Sequence, residues 1–575
     1  MDRDEMNERE ECRARILSED YMDIINGLGE YSESLLEMGL DLCLQYVNDK
    51  YVVVYFDSQD NRGYSIEEYG YRAIPSLYSL ADTTSVNETG AIRLRNQPGL
   101  NLRGSRTLIG FVDTGIDYQN QVFRYSNGES RIVGIWDQTI QTGRMPANID
   151  YGSEYTKQMI DEALASDNPL AIVPSADTNG HGTFMAGIAA GGEDTVNDFT
   201  GVAPGAYIAM VKLKPAKKKL RDFYLIKEDA EAYQENDIML GVRYLRELAF
   251  RLALPLVICI GVQNNLGGHS GESFLSGYLD MVCTSAANAV VTATGNMSNQ
   301  RKHYFGELSI GNAERDVEIR VGEGTKGFCM ELWGDAPDLY TISITSPTGE
   351  RVPKIQAGVG RSNIYDFVFE RTVIYVDYQL SVGYSGAQLI FMRFEVPTPG
   401  IWTVRVYNSL QVRGSFHLWL QNTEFVGEDI YFLNSNPDVT VTDPGNANGP
   451  ITVGAYNHYN NSIYLYSGRG YTRTGNIKPD IAAPGVEIWG PLPNNRYGRK
   501  SGTSIAAAHT AGAVAMLMEW ALERQRYMLL QNESIKTFLI RGANQEPDSR
   551  IYPNREWGDY GNIVSAFLSE PPLFA

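Results

Sequence analysis

Short apolar runs set the texture of the middle of the chain. Leu108-Ile-Gly-Phe-Val112, Tyr207-Ile-Ala-Met-Val211 and Pro255-Leu-Val-Ile-Cys-Ile260 are apolar at nearly every position, as strands buried on both faces are. Between them lie stretches with helical spacing, such as Glu231 to Arg251 and Leu275 to Ala287. Strands alternating with helices predict βαβ units, and so an α/β fold with a doubly wound parallel sheet. From Gly306 to about Glu424 strand patterns follow one another without helices, among them Asp316–Val321, Leu339–Ile344, Gln388–Phe394, Ile401–Tyr407 and Ser415–Leu420. Turns rich in Gly, Pro, Asn and Asp separate them, which predicts an all-β sandwich inserted into the α/β domain. The α/β texture resumes at Ile451-Thr-Val-Gly454. Ahead of it all, a helical pattern over Glu19 to Leu44 and a β-rich run, Tyr51-Val-Val-Val-Tyr55, predict a small α+β unit that ends in the polar stretch Ala81 to Gly90.

Composition narrows the class without deciding it. The 575 residues suffice for several domains, and 43% hydrophobic with 21% charged residues is ordinary for a globular protein. Acids outnumber bases 70 to 49, a formal charge of −21, which opposes a nucleic-acid or anionic-membrane partner. The charged start, MDRDEMNEREECRARI, lacks the apolar core of a secretory signal, and the most apolar stretch, Thr503 to Leu522, contains His509 and Glu519 and reads as a buried helix. The expected location is cytoplasmic. Five scattered cysteines (Cys12, Cys43, Cys259, Cys283, Cys329), an odd number without a CxxC pair, predict reduced thiols and neither a disulfide framework nor a zinc site.

Three segments carry candidate chemistry. Phe111-Val-Asp-Thr-Gly-Ile-Asp117 places the Asp113 carboxylate at the C-terminal end of a buried strand, where parallel sheets display functional groups. Asn179-Gly-His-Gly-Thr183 puts His181 at the start of a small-residue apolar helix. Gly502-Thr-Ser-Ile-Ala-Ala-Ala-His-Thr-Ala-Gly512 puts Ser504 at the start of another, where helix N–H groups suit a developing oxyanion. Each has a plain alternative: a turn, a core histidine, an N-cap. Asp, His and Ser in that chain order is one of the few orders in which serine-protease triads occur.

These residues resemble the subtilisin family, the subtilases, whose motifs D-[ST]-G, H-G-T and G-T-S-[ML]-A match DTGID, GHGT and GTSIAAAHTAG here. The resemblance spans about Thr107 to Phe305 and Pro450 to Phe567, and includes Gly201-Val-Ala-Pro-Gly205 and Lys478-Pro-Asp-Ile-Ala-Ala-Pro-Gly485. It implies a serine endopeptidase with Asp113, His181 and Ser504 as triad. Ala293-Thr-Gly-Asn296 resembles the family's A-x-G-N, which implies an oxyanion donor at Asn296 and an S1 wall at Ala293, Thr294 and Gly295. The strand at Cys259, Ile260 and Gly261 would pair with substrate, although the family usually has Ser-Leu-Gly there. His269 lies near this cleft, as a substrate contact or as a loop histidine without a role. Ala508 stands where the family often has proline.

Within the family the chain resembles the clostridial germination proteases (the Csp group): a short prodomain without a signal, a β-sandwich between the oxyanion asparagine and the serine, and the ending Tyr552-Pro-Asn-Arg-Glu-Trp-Gly558. That likeness implies a prodomain at 1–83, a catalytic domain at 84–305 and 431–575, and an inserted jelly roll at 306–430. It also implies self-cleavage near Leu80, Asp82, Thr83 and Thr84, a prodomain retained afterwards, and activation of a protein zymogen such as a spore cortex-lytic enzyme. Cofactors and metals are expected to be none. The rival reading is a pseudoprotease of the same fold, a sensor or scaffold.

Overall fold

In the computed structural model the described residues are 3–27, 43–57, 63–81, 102–309, 313–358, 361–410, 412–523, 530–543 and 551–558. A nine-stranded sheet forms the centre. Its spatial order is Ser462–Ile463, Ile451–Asn457, Asn288–Ala293, Leu256–Ile260, Leu108–Asp113, Tyr207–Lys212, Ile132–Asp137 and Ser153–Thr156, with Ile481–Pro484 also pairing on Ile451–Asn457. The inner pairs are parallel and the two outermost antiparallel. The winding explains why these strands carry no polar alternation. Ile109, Phe111, Val257, Cys259 and Val291 enter one core with helices His181–Ala190 and Thr503–Glu523. Leu108, Val112, Ile258, Ile260 and Val290 enter another with helices Glu235–Leu252 and Phe274–Cys283. Thr503–Leu522, long and apolar enough to cross a membrane, is 94% buried against this sheet.

The helices are placed by their ends and by close packing. Glu235–Leu252 has Glu235 and Asp237 in its first turn and Arg251 in its last, in keeping with its dipole. Gly110 lets it approach the sheet, since a Cβ there would lie 2.8 Å from Leu245.

Strands from His303–Glu307 to Tyr431–Phe432 form two antiparallel sheets of six and five strands, so the β-rich region begins a few residues before Gly306. They share a core in which the Phe394 and Trp402 rings, one from each sheet, lie 5.5 Å apart edge-on. The six-stranded sheet is buried on its other face as well. There Phe223 stacks on Phe391 at 5.9 Å and Tyr224 meets the same ring, which anchors the sandwich to the α/β part. All eight residues of Gly327–Gly334 are buried for that reason.

The N-terminal part departs from expectation. Helix Arg3–Leu17 precedes strand Tyr21–Gly27, so the expected helix over Glu19 to Leu44 gives way to a strand at its start; 28–42 lie outside the described residues. Tyr51–Asp57 lies between Tyr21–Gly27 and Cys43–Tyr46 in an antiparallel sheet. The reading failed because Met22, Asp23, Ile24 and Ile25 are all buried, Asp23 by a tertiary ion pair with Lys217 at 2.5 Å, and the strand shows no alternation. A second correction concerns the thiols. Cys12 and Cys43 form a disulfide with Cα atoms 5.1 Å apart, brought together by the helix packing on the sheet across 31 residues of sequence. Cys259, Cys283 and Cys329 are free and buried.

Candidate active site

The central strand delivers Asp113 to the C-terminal edge of the sheet, fully buried. Its Oδ1 accepts from the Thr114 amide at 2.8 Å and lies 2.7 Å from His181 Nδ1. The other ring nitrogen, Nε2, is 3.1 Å from Ser504 Oγ. Three residues from distant parts of the chain thus form one hydrogen-bonded series. The histidine is held by its helix start. Gly180, the residue before the helix, has φ +89°, a conformation that favours glycine, and a Cβ there would also meet Pro493 at 2.9 Å. Asp177 fixes the same turn: its carboxylate accepts from the Thr114 hydroxyl at 2.9 Å, the Gly180 amide at 2.8 Å, and the Thr183 amide and hydroxyl at 2.9 and 2.7 Å. Sequence motifs did not single out Asp177, though an aspartate just before a helix start is a capping signal.

Ser504 is the second residue of helix Thr503–Glu523, so its N–H is one of the unpaired donors that open every helix. Beside it, Asn296 is buried and turned by three contacts. Its Oδ1 accepts from the Thr503 amide at 3.2 Å and hydroxyl at 3.1 Å, and its own N–H donates to Gln263 Oε1 at 2.7 Å. The acceptor end being occupied, the Nδ2 amide is left buried without a partner. A buried amide that donates to nothing costs free energy unless a ligand completes it.

The cleft holds the chain's own segment. Strand Leu77–Leu80 lies between Tyr233–Gln234 and Val262–Gln263, antiparallel to both. Ala81, the next residue, donates its N–H to the Gly261 carbonyl at 3.0 Å, and its own carbonyl accepts from the Ser504 amide at 3.3 Å. Ala81 is wholly buried. Gln263 Nε2 donates to the Leu80 carbonyl at 3.1 Å, and Asn422, next to the sandwich, donates to Ser79 Oγ at 2.8 Å. Gly261 must be glycine for this approach: a Cβ would sit 3.1 Å from the His181 ring, 3.2 Å from Ser504 Cβ and 3.0 Å from Met185.

Several expected contacts shift. Cys259 and Ile260 lie inside the parallel sheet, paired on both sides, and the pairing with the extended segment starts at Gly261 and runs on through Val262 and Gln263. Burial pushes the Cys259 thiol up, so it stays protonated and packs as an apolar side chain. Ala293 ends its strand, and the Thr294 carbonyl accepts from the Thr442 amide at 3.0 Å. Gly295 has φ +79°, and a Cβ on it would strike Thr442 Oγ1 at 2.1 Å and come within 2.9 Å of Gln263 Oε1. His269 does not face the segment. It is buried, stacks on Trp419 at 4.2 Å, and its ring nitrogens lie 2.8 and 3.1 Å from the carbonyls of Val441 and Asn265; burial lowers it to about 4. Of the residues expected at a self-cleavage site, Leu80 lies in the cleft, and Asp82, Thr83 and Thr84 lie outside the described residues. Ala81, the residue at Ser504, was not among those singled out.

Comparison with known proteins agrees with this geometry. The subtilase family model matches residues 104–243 and 422–558, the two halves that flank the sandwich. A solved structure, the CspB protease of Clostridium perfringens, matches with TM-score 0.73 and 31% identity, over 82% of this chain and 93% of that one. Curated relatives align more locally. Subtilisin-like protease 10 of Arthroderma otae is 39% identical over 85 residues, 15% of this chain and 20% of that protein. The C5a peptidase of Streptococcus pyogenes serotype M18 is 38% identical over 92 residues, 16% of this chain and 8% of that protein. The chain therefore matches a fifth or less of the length of these two curated relatives. With a solved relative matched over nearly its whole length and the family model falling on the segments that carry Asp113, His181 and Ser504, the chain belongs to the subtilase family of subtilisin-like serine proteases.

Proposed function

We propose that the protein is a serine endopeptidase in which Ser504 is the nucleophile, His181 the general base and Asp113 the residue that orients and stabilises the imidazolium. The observation that carries this reading is the pairing of the series Asp113–His181–Ser504 with a peptide carbonyl, that of Ala81, on the Ser504 N–H. A serine hydroxyl is a weak nucleophile at neutral pH. Proton transfer to His181 Nε2 as Oγ attacks the carbonyl carbon removes that weakness, and the Asp113 carboxylate 2.7 Å from Nδ1 favours the tautomer that can accept. The carbonyl oxygen becomes an oxyanion. The Ser504 amide and the unpartnered Asn296 Nδ2 supply its two donors, already in place and shielded from water. The same proton then goes to the leaving amine, and water hydrolyses the acyl-enzyme by the reverse sequence. No step calls for a cofactor.

In this reading the prodomain, expected at 1–83, ends at Ala81, the α/β segments from 82 to 305 and 431–575 form the catalytic domain, and the sandwich near 306–430 is an inserted jelly roll. The prodomain is cut from the rest by the enzyme itself, after Ala81, and stays docked through contacts such as Asp23–Lys217 and Arg9–Asp150. Retention is supported by the depth of these contacts: Asp23 and Lys217 are both buried. A protein zymogen as the physiological substrate, of the spore cortex-lytic kind, and a spore-associated location rest on the likeness to the Csp group alone. The test is labelling by a fluorophosphonate. Native protein should be modified at Ser504 and cleave peptides, and Ser504→Ala should do neither; undiminished hydrolysis by the alanine variant would end the assignment.

A further inference from the structure

The residue three before Ala81 is Tyr78, and its surroundings are unusual for a side chain held in an apolar enclosure. Its ring is wholly buried and shares a core with Tyr233, Val262, Phe274 and Leu275. Its hydroxyl donates to Asp443 Oδ2. Asp443 is itself buried, and its two oxygens take hydroxyl donors only: Ser273 at 2.8 Å on Oδ2 and Ser276 at 2.6 Å on Oδ1, besides the phenol. Among the described residues Asp443 makes no ion pair. Two further acids, Glu235 and Asp280, act on the same region, and burial with the repulsion of Asp280 raises the Asp443 carboxyl while the three hydroxyls hold it down. A buried carboxylate without a cation depends on each donor it has. The serine hydroxyls are fixed in place, because Ser273 also caps helix Phe274–Cys283 by accepting from the Ser276 amide at 2.9 Å. The third donor comes from whatever occupies the pocket.

We infer that Asp443 makes the pocket around Tyr78 selective for tyrosine four residues before the bond that is cut, in protein substrates as in the enzyme's own segment. This inference rests on the peptidase reading above. Phenylalanine would fill the apolar walls and leave Asp443 short of a donor. Arginine or lysine would reach the carboxylate, but its two oxygens already take Ser273 and Ser276, and most of an arginine's five donors would face aromatic rings. Tyrosine satisfies both halves of the pocket. Burial keeps its hydroxyl far above its usual range, so it donates at any working pH.

The measurement is kcat/KM of the native protein, expressed as the whole chain, on fluorogenic peptides Xaa-Ser-Leu-Ala, with tyrosine, 4-aminophenylalanine, phenylalanine or arginine as Xaa. All four compete with the same internal segment, so their ratios do not depend on how often the cleft is free. Tyrosine should exceed phenylalanine by about 10- to 100-fold, the range expected when a buried acceptor loses its donor. The 4-amino side chain, which keeps a donor on the ring, should recover most of that, and Asp443→Asn should shrink the tyrosine-to-phenylalanine ratio to a few-fold. Should Asp443→Asn fail to fold, the 4-amino peptide decides alone. Equal rates for tyrosine and phenylalanine, or a preference for arginine, overturn the inference and leave the peptidase reading standing. Absence of all hydrolysis together with absence of fluorophosphonate labelling removes the peptidase reading, and this inference with it.

Discussion

Replacing Asn296 by alanine separates two jobs that one side chain performs. Its Nδ2 is free to donate to an oxyanion, and its Oδ1 accepts from the Thr503 amide at 3.2 Å and hydroxyl at 3.1 Å, at the opening of the helix that carries Ser504. Loss of an oxyanion donor costs about 10²–10³ in kcat, which is about 2.7–4 kcal/mol of transition-state stabilisation. Loss of the acceptor leaves two buried donors without a partner, at about 1–3 kcal/mol each where nothing replaces it. Asn296→Ala should therefore reduce kcat by two to three orders of magnitude with KM changed only slightly, because the ground-state carbonyl is held by the Ser504 amide and by strand pairing. It should also lower Tm. Thr503→Ala is the control: it removes the hydroxyl contact but keeps the backbone bond that turns Asn296, so it should lower Tm with less than about tenfold effect on kcat. Steady-state kinetics on a fluorogenic peptide and a thermal melt of each variant read both quantities. A kcat for Asn296→Ala within tenfold of native, with Ser504→Ala inactive, would refute the oxyanion role.

Other consequences follow from the same contacts. Gly261→Ala places a methyl 3.1 Å from the His181 ring and 3.2 Å from Ser504 Cβ, so kcat should fall strongly and fluorophosphonate labelling should slow; native labelling rates would contradict the packing. Lys217→Met strips the buried partner of Asp23 and should weaken prodomain docking by about 3–5 kcal/mol, seen as loss of co-purification of the N-terminal fragment, whereas an intact complex that resists urea as the native one does would refute it. Buried His269 and His303, lowered to about 4 and about 3, are neutral in the fold and protonated below about 6.5 when unfolded. Their contribution is whole above pH 6.5 and is lost as pH falls toward 4, on the order of 3 kcal/mol for His269 alone, so Tm should drop across that window, and a flat profile would contradict it.

What the sequence made legible was local. DTG, GHGT and GTS announce Asp113, His181 and Ser504 because each depends on its own turn: a strand end, a left-handed Gly180, a helix start. The strands of the central sheet were readable because burial on both faces writes itself as uninterrupted apolar runs, and outer strands of the sandwich such as Glu314–Val321 because one buried face writes itself as alternation. What depends on distant pairing was hidden. The Cys12–Cys43 disulfide and the strand at Tyr21–Gly27 arise from docking of the helix and from Lys217, far along the chain. The residue at Ser504 is set by the register of Leu80 on Val262, which no motif encodes, and so Ala81 escaped notice among its polar neighbours. Asp443 looks like a loop aspartate until Ser273, Ser276 and Tyr78 are seen around it.

The central claim, a serine peptidase with its own cut segment in the cleft, is tested by intact mass and N-terminal sequencing of native protein beside Ser504→Ala, both expressed in a protease-poor host. The native chain should appear as two co-purifying fragments, one ending at Ala81 and one beginning at Asp82, and the alanine variant as a single uncut chain. The same cut in the Ser504→Ala protein, or a native chain that is active yet uncut after Ala81, would contradict the account.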